Sequence, residues 1–283
     1  MKFRSRKSQL KLLRRDSVSL NLFGWQLTIF FSALIVCVAW GTEYFVKAQT
    51  VPSYVLPDDT FSHDIYQLAQ STTVRIVREN ISGTGVIIHQ QGHTYTVLTS
   101  WHVVKNGGAI ALMTADGSSH QLSNPPQQVG NLDLGIVQFD SQEDYALATL
   151  ATDIPQVGEK IYTAGFPLYE SDGLTDTIYR GVRGFRLTQG EISLIPPQSL
   201  PEGYFIGYTN DTEIGMSGSP IFNTKGFLVG VHGRGKYRDP SFGVYTFSDG
   251  SEPSPKMMET MIESSWGIPI SAYLQFADPA AQN

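Results

Sequence analysis

Gly215-Met216-Ser217-Gly218-Ser219-Pro220 sets a serine between glycines, ahead of a small residue and a proline. Glycine at 215 permits a tight turn whose main-chain N–H groups can converge on a developing negative charge, and Ser217 supplies a hydroxyl beside it. Turns rich in glycine and serine are common, so this stretch decides little alone. Two upstream segments give it meaning. In Thr96-Val97-Leu98-Thr99-Ser100-Trp101-His102-Val103-Val104, a β-prone apolar run ends in a polar pair and then a histidine. Histidine is the side chain that can act as a neutral base near pH 7. In Asn131-Leu132-Asp133-Leu134-Gly135-Ile136-Val137, an aspartate opens an apolar strand. A carboxylate half buried there needs a partner, and an imidazole N–H is one. The order is His102, Asp133, Ser217, with gaps of 31 and 84 residues. That order suits a base and its orienting acid on one barrel and a nucleophile on a second.

At these residues the chain resembles the chymotrypsin-like (trypsin-like) serine proteases, in their cysteine-poor bacterial branch. The segments that carry the resemblance are Thr84 to Ile88, Leu98 to Val104, Leu132 to Val137, Ala164 to Pro167, Gly215 to Pro220 and Leu228 to Gly233. The resemblance implies an all-β fold of two six-stranded antiparallel β-barrels with a short C-terminal helix. It implies a serine endopeptidase working through an acyl-enzyme on polypeptide substrates, with no metal or organic cofactor. Ser217 would attack, His102 would move the proton and Asp133 would orient the imidazole, while the N–H groups of Gly215 and Ser217 hold the oxyanion.

Three positions bear on specificity and activation within that resemblance. In digestive members an aspartate before the nucleophile pairs with a freed N-terminal amine. Here that residue is Met216, which implies activity without such processing. Asp211, six residues before the nucleophile, matches the position that selects Arg or Lys. Thr212 and His232 match the pair with which glutamyl endopeptidases hold a glutamate, so acidic and basic preferences both stay open. Trp101 departs from the family, which has a small residue there, and a bulky neighbour could shield the base or narrow the cleft. It supports an alternative reading, a catalytically silent, membrane-tethered binding module on a protease scaffold. An α/β-hydrolase esterase is excluded, because it needs G-x-S-x-G with the histidine last. Here Ser219 takes the fifth place and the histidine comes first.

Residues 1–15 hold seven Lys and Arg and no acid, leaving 13 basic against 26 acidic groups in the other 268 residues. A body that acidic is a poor partner for nucleic acid. Ser17 to Thr42 carries no charge, and Leu27 to Trp40 is almost wholly apolar. A basic lead before such a run reads as a signal peptide or as an uncleaved anchor with its N-terminus in the cytoplasm. The short apolar heart and Val46-Lys47-Ala48 favour cleavage. The long basic lead and the flanking Trp25 and Trp40 favour retention. Either reading exports the body to the periplasmic or extracytoplasmic side. The single cysteine, Cys37, lies in the apolar run, so stability must come from core burial rather than disulfides.

The pattern divides the chain into a leader and hydrophobic segment (1–48), a linker (49–70), a first barrel (71–150), a second barrel (151–250) and a C-terminal helix and tail (251–283). The linker ends in a helix over Asp64 to Gln70. Strands are expected at Thr73–Arg78, Gly85–Ile88, Thr94–Leu98, Ala109–Met113 and Leu134–Phe139, then from Lys160, and at Phe185–Ile195, Tyr204–Tyr208, Ile221–Phe222, Phe227–His232 and Phe242–Phe247. Ser254 and Pro255 open a helix whose Met257, Met258, Met261 and Ile262 form a core face, closed by Gly267. About 30 residues past the second barrel leave no room for a peptide-binding PDZ-type domain. His89 and His93 flank a hairpin turn and lack the further ligands a metal site needs, and His63 and His120 read as loop residues.

Overall fold

The β-prone runs pair into two antiparallel sheets. The computed structural model describes residues 60–78, 81–169, 173–238, 240 and 243–277, with side chains from residue 63 onward. The leader, the proposed membrane segment and most of the linker lie outside the described residues, as do 170–172, in a stretch rich in Gly, Asp and Thr (170–177) that the sequence suggests as a substrate-side insertion. Among the described residues no helix is long and apolar enough to cross a membrane.

Helix α1 (Thr60–Thr72) extends beyond the expected Asp64 to Gln70 at both ends and buries Ile65 and Ala69, one turn apart. It leads directly into β1 (Thr73–Arg78), which pairs with β2 (Ile81–Gln91). β3 (Thr94–Thr99), β4 (Ala111–Met113), β5 (Ser119–Gln121), β6 (Gln127–Gln128) and β7 (Gly135–Asp140) complete a seven-stranded sheet in the order β5-β4-β1-β2-β3-β7-β6. β5 and β7 stand far apart in that order. They nevertheless meet, because His120 on β5 lies 4.6 Å from the Phe139 ring on β7. The sheet therefore curls into a barrel-like half. His120 is a packed strand residue rather than a loop one.

The second half is a closed six-stranded barrel in the order β10-β13-β12-β11-β8-β9. Its strands are β8 (Lys160–Gly165), β9 (Arg186–Leu194), β10 (Ile206–Tyr208), β11 (Pro220–Asn223), β12 (Leu228–Arg234) and β13 (Ser265–Pro269). The strand that closes it is not the expected 242–247 segment. Phe242 lies outside the described residues, and Gly243 onward runs through turns, with Gly243 N–H donating to the Pro240 carbonyl and Thr246 N–H to that of Gly243. Tyr245 and Phe247 are buried, so the alternation there records burial without strand pairing. Closure falls instead to β13. Helix α2 (Trp101–Val104) is a single turn after β3, and α3 (Pro255–Ile262) starts at Ser254 as expected, with the Ser254 hydroxyl accepting from Met257 N–H at 3.3 Å. Gly267 does not end α3. It sits mid-strand between Ile206 and His232, where an added Cβ would come 2.4 Å from the Ile221 side chain. α4 (Ile270–Ala277) follows β13.

The unbroken apolar runs have a reason. On β3, Tyr95 and Val97 face the interior of the first sheet, while Leu98 faces a core shared with Ala164, Phe222 and Val231 of the second. Strands buried on both faces lose the polar half of their alternation. That shared core presses the sheets together, and hydrogen bonds lock the seam. Thr84 N–H donates to the Ser217 carbonyl at 2.9 Å and the Thr84 hydroxyl to the Gly215 carbonyl at 3.0 Å. Gly218 has φ +90°, and a Cβ there would lie 1.9 Å from the Thr84 carbonyl oxygen. Gly218→Ala should therefore lose about 2 kcal/mol or more in urea unfolding, from strain plus a main-chain clash. Gly92→Ala, at φ +61° in open space, should lose about 1 kcal/mol. Equal losses would mean that the seam tolerates a side chain.

Candidate active site

Strand register brings His102 and Asp133 together. β3 pairs antiparallel with β7, and Thr99 stands opposite Gly135. Residues just past one end and just before the other therefore meet at the same edge, where Trp101 N–H reaches the Asp133 carbonyl at 3.2 Å. His102 uses two donors on the carboxylate. Its main-chain N–H lies 2.8 Å from Asp133 Oδ1 and its Nδ1 lies 2.6 Å from Oδ2. Asp133 is 4% exposed. Burial pushes its carboxyl pKa up, but the hydrogen bonds and charge of His102, with the Tyr204 hydroxyl, outweigh burial and hold it below the usual range. An ionised carboxylate only accepts, so Nδ1 carries a proton, and the neutral form of this imidazole has its lone pair on Nε2.

Tyr204 was not singled out by sequence as a site residue. It lies just before β10, its hydroxyl donates to Asp133 Oδ2, and Asp133 N–H donates to the Glu202 carbonyl at 2.9 Å. Glu202 holds a left-handed φ of +66°, rare for a residue with a side chain. Arg234 braces the pair, at 2.6 Å from the Glu202 carboxylate and with its guanidinium 4.0 Å from the Tyr204 ring centre. The readable signal was a buried tyrosine, whose hydroxyl must find a partner. The Trp101 ring covers Gly135, 3.4 Å from where a Cβ would be, and packs on the first-sheet core.

Ser217 stands across the seam, half exposed, and no hydrogen bond joins its hydroxyl to His102; the His102 side chain is 39% exposed. Such contacts commonly tighten only when substrate arrives. The peptides around Ser217 are fixed by their carbonyls. Ile214 C=O accepts from Leu168 N–H at 2.6 Å, and Met216 C=O accepts from Ser219 N–H at 3.0 Å. In a trans peptide the N–H points opposite to the C=O. The N–H groups of Gly215 and Ser217 are thus turned away from those anchors, and among the described residues neither has an acceptor. Gly215 has φ +97° and fits against Phe166 and Leu168 with no room for a Cβ.

The expected pocket residues each have partners of their own. Asp211 is 91% exposed at its side chain and pairs with Lys236 at 2.7 Å. The Thr212 hydroxyl lies 3.0 Å from that of Ser265. His232 is buried, with Nδ1 2.5 Å from the Tyr208 hydroxyl and a hydrogen bond to the Trp266 main chain. Its carbonyl accepts from Gly218 N–H and the Ser100 hydroxyl, so it belongs to the seam as well.

A trypsin-like peptidase domain model matches residues 83–231, more than half of the chain, which belongs to that family and is a serine-type peptidase. Its fold is similar to that of the serine endoprotease from Yersinia pestis, with a TM-score of 0.53, 17% identity, and coverage of 80% of this chain and 68% of that one. It is also similar to the inactive serine-to-alanine mutant of Rv3671c from M. tuberculosis, with a TM-score of 0.52, 16% identity, and coverage of 75% and 88%. No curated protein matches the sequence.

His232 makes stability pH-dependent. Burial, with the charges of His102 and Arg238, lowers its pKa to about 3. The unfolded chain takes up that proton near pH 6.5. The unfolded state therefore binds more protons between these values, and stability falls as pH drops below about 6.5. One such group costs about 2 kcal/mol between pH 7.5 and 5. Denaturant unfolding at the two pH values should show this slope, and His232→Asn should flatten it. An unchanged slope in a folded His232→Asn would mean that the proton goes elsewhere.

Proposed function

We propose that the chain is an endopeptidase that cuts polypeptides through an acyl-enzyme formed on Ser217. The observation that carries this reading is the 2.6 Å contact from His102 Nδ1 to a buried carboxylate held ionised, at the seam that also holds Ser217. Nε2 of such an imidazole can take the Ser217 proton during attack on the scissile carbonyl. Asp133 keeps the tautomer and stabilises the imidazolium. The carbonyl oxygen, now negative, takes hydrogen bonds from the N–H groups of Gly215 and Ser217. His102 then returns the proton to the leaving amine, and water repeats the sequence to free the acyl group.

For the side chain before the cut, an acidic residue fits better than a basic one. The Asp211 carboxylate is already neutralised by Lys236 at the surface, whereas the Thr212 hydroxyl, 3.0 Å from a Ser265 hydroxyl that itself donates to the Asn210 carbonyl, can turn to donate to a carboxylate. Cleavage of a peptide library only after apolar residues, or only after Arg and Lys, would contradict this preference. We also read the basic lead and uncharged residues 17–42 as export signal or membrane anchor. Recovery of the chain in the soluble cytoplasmic fraction of its host would oppose both.

The full-length chain, purified in mild detergent, should react with a fluorophosphonate, and Ser217→Ala and His102→Ala should abolish the label. Peptide hydrolysis should fall about 10⁴-fold or more in either variant. Asp133→Asn should lose about 10⁴-fold by presenting the wrong tautomer. A folded chain that does not react would instead be the silent binding module.

A further inference from the structure

Arg75, on β1, is fully buried and among the described residues has no carboxylate in contact. Burial lowers its pKa and the nearby charge of Asp176 opposes that, and a guanidinium keeps its proton in proteins. A buried cation is costly unless its donors are satisfied. Here they are satisfied by one loop of the opposite half. Nη1 donates to the Thr177 carbonyl at 2.8 Å and the Gly181 carbonyl at 2.9 Å, and Nη2 donates to the Thr177 hydroxyl at 2.8 Å. Nε donates within its own sheet, to the Ser82 hydroxyl at 3.0 Å.

Thr177 passes this grip on. Its hydroxyl donates to the Pro167 carbonyl, and its N–H donates to the Leu168 carbonyl at 2.8 Å. Leu168 N–H in turn donates to the Ile214 carbonyl at 2.6 Å, the bond that turns Gly215 N–H the other way. Within the serine loop, Met216 is buried and uncharged, and its N–H donates to the carbonyl of Glu213, whose carboxylate pairs with Arg186. Thr84, the cross-strand partner of Arg75, completes the cradle by accepting from Phe166 N–H at 3.0 Å.

We propose that Arg75 is a positioning residue for catalysis. From the opposite sheet, its buried guanidinium holds Thr177 and Gly181, and through Thr177 the Pro167 and Leu168 carbonyls, and so fixes the Ile214–Gly215 peptide with its N–H toward the cleft. This inference rests on the reading of Gly215 and Ser217 as the oxyanion site. A lysine cannot replace it, because one ammonium on a flexible stem does not reproduce a planar fork engaging four acceptors.

The test compares full-length wild type with Arg75→Lys, Arg75→Met, Thr177→Val and Ser217→Ala. The readouts are kcat, KM and the inhibition constant of a peptidyl boronate, whose tetrahedral adduct needs the same N–H groups. The inhibition constant does not depend on the fraction of folded protein, so it separates positioning from lost fold. Arg75→Met should lose about 10²-fold in kcat with KM within about threefold, and should bind the boronate weaker by a similar factor. Arg75→Lys should recover little. Thr177→Val should show a smaller loss of the same kind, and combining it with Arg75→Met should add nothing further. Wild-type boronate affinity in both Arg75→Met and Thr177→Val, with Ser217→Ala inactive, overturns the role of Arg75 alone. If Arg75→Met does not fold, Thr177→Val decides by the same criterion. Full activity in Ser217→Ala would overturn the underlying reading of the site as well.

Discussion

Thr84 on β2 is the point on which the site depends. Its amide and hydroxyl donate to the carbonyls of Ser217 and Gly215 across the seam, its own carbonyl accepts from the Thr99 hydroxyl at 2.6 Å, and its hydroxyl also accepts from Phe166 N–H. These bonds sit over an apolar core shared by both sheets, where an unmade main-chain bond would be costly. His102 and Asp133 belong to one half and Ser217 to the other. The pair and the serine therefore face each other only if the seam is in register. Ser100, two residues before His102, repeats the device by donating to the His232 carbonyl at 2.9 Å.

The second half also reaches back to control the charge of the first. A carboxylate as buried as Asp133 would tend to take up a proton, and an uncharged acid could not hold His102 in one tautomer. The fold answers with donors from both sides: two from His102 and one from Tyr204. Tyr204 is held by Arg234, and Arg234 by Glu202, whose left-handed backbone stores strain beside the site. Each half thus carries groups whose geometry is set by the other.

Much of this was legible where local pattern and chemistry agree. The run ending at His102 and the strand opening at Asp133 announce themselves, because a β-prone stretch that ends on a titratable residue is unusual. The limits of sequence reading are physical too. β13 looked like the end of a helix because Gly267 is an ordinary helix stop; only the crowding of Ile221 shows why a strand needs glycine there. The alternation at Tyr245 and Phe247 marks burial, which turns share with strands. The partnerships of Arg75 with Thr177 and of Tyr204 with Asp133 span 102 and 71 residues, and nothing local in the chain encodes them. Asp211 shows the converse. Its place before the serine suggested a pocket carboxylate, yet its side chain faces solvent and Lys236.

The central claim is that the two halves present a nucleophile, a base and a preformed pair of N–H donors to one carbonyl. A crystal structure of the full-length protein after reaction with a peptidyl phosphonate tests it most directly. The account predicts a phosphorus bonded to Ser217 Oγ, with its oxygen accepting from the N–H groups of both Gly215 and Ser217 and with His102 Nε2 turned toward Oγ. An adduct on another residue, or an Ile214 carbonyl rotated toward the phosphonyl oxygen in place of Gly215 N–H, would contradict it.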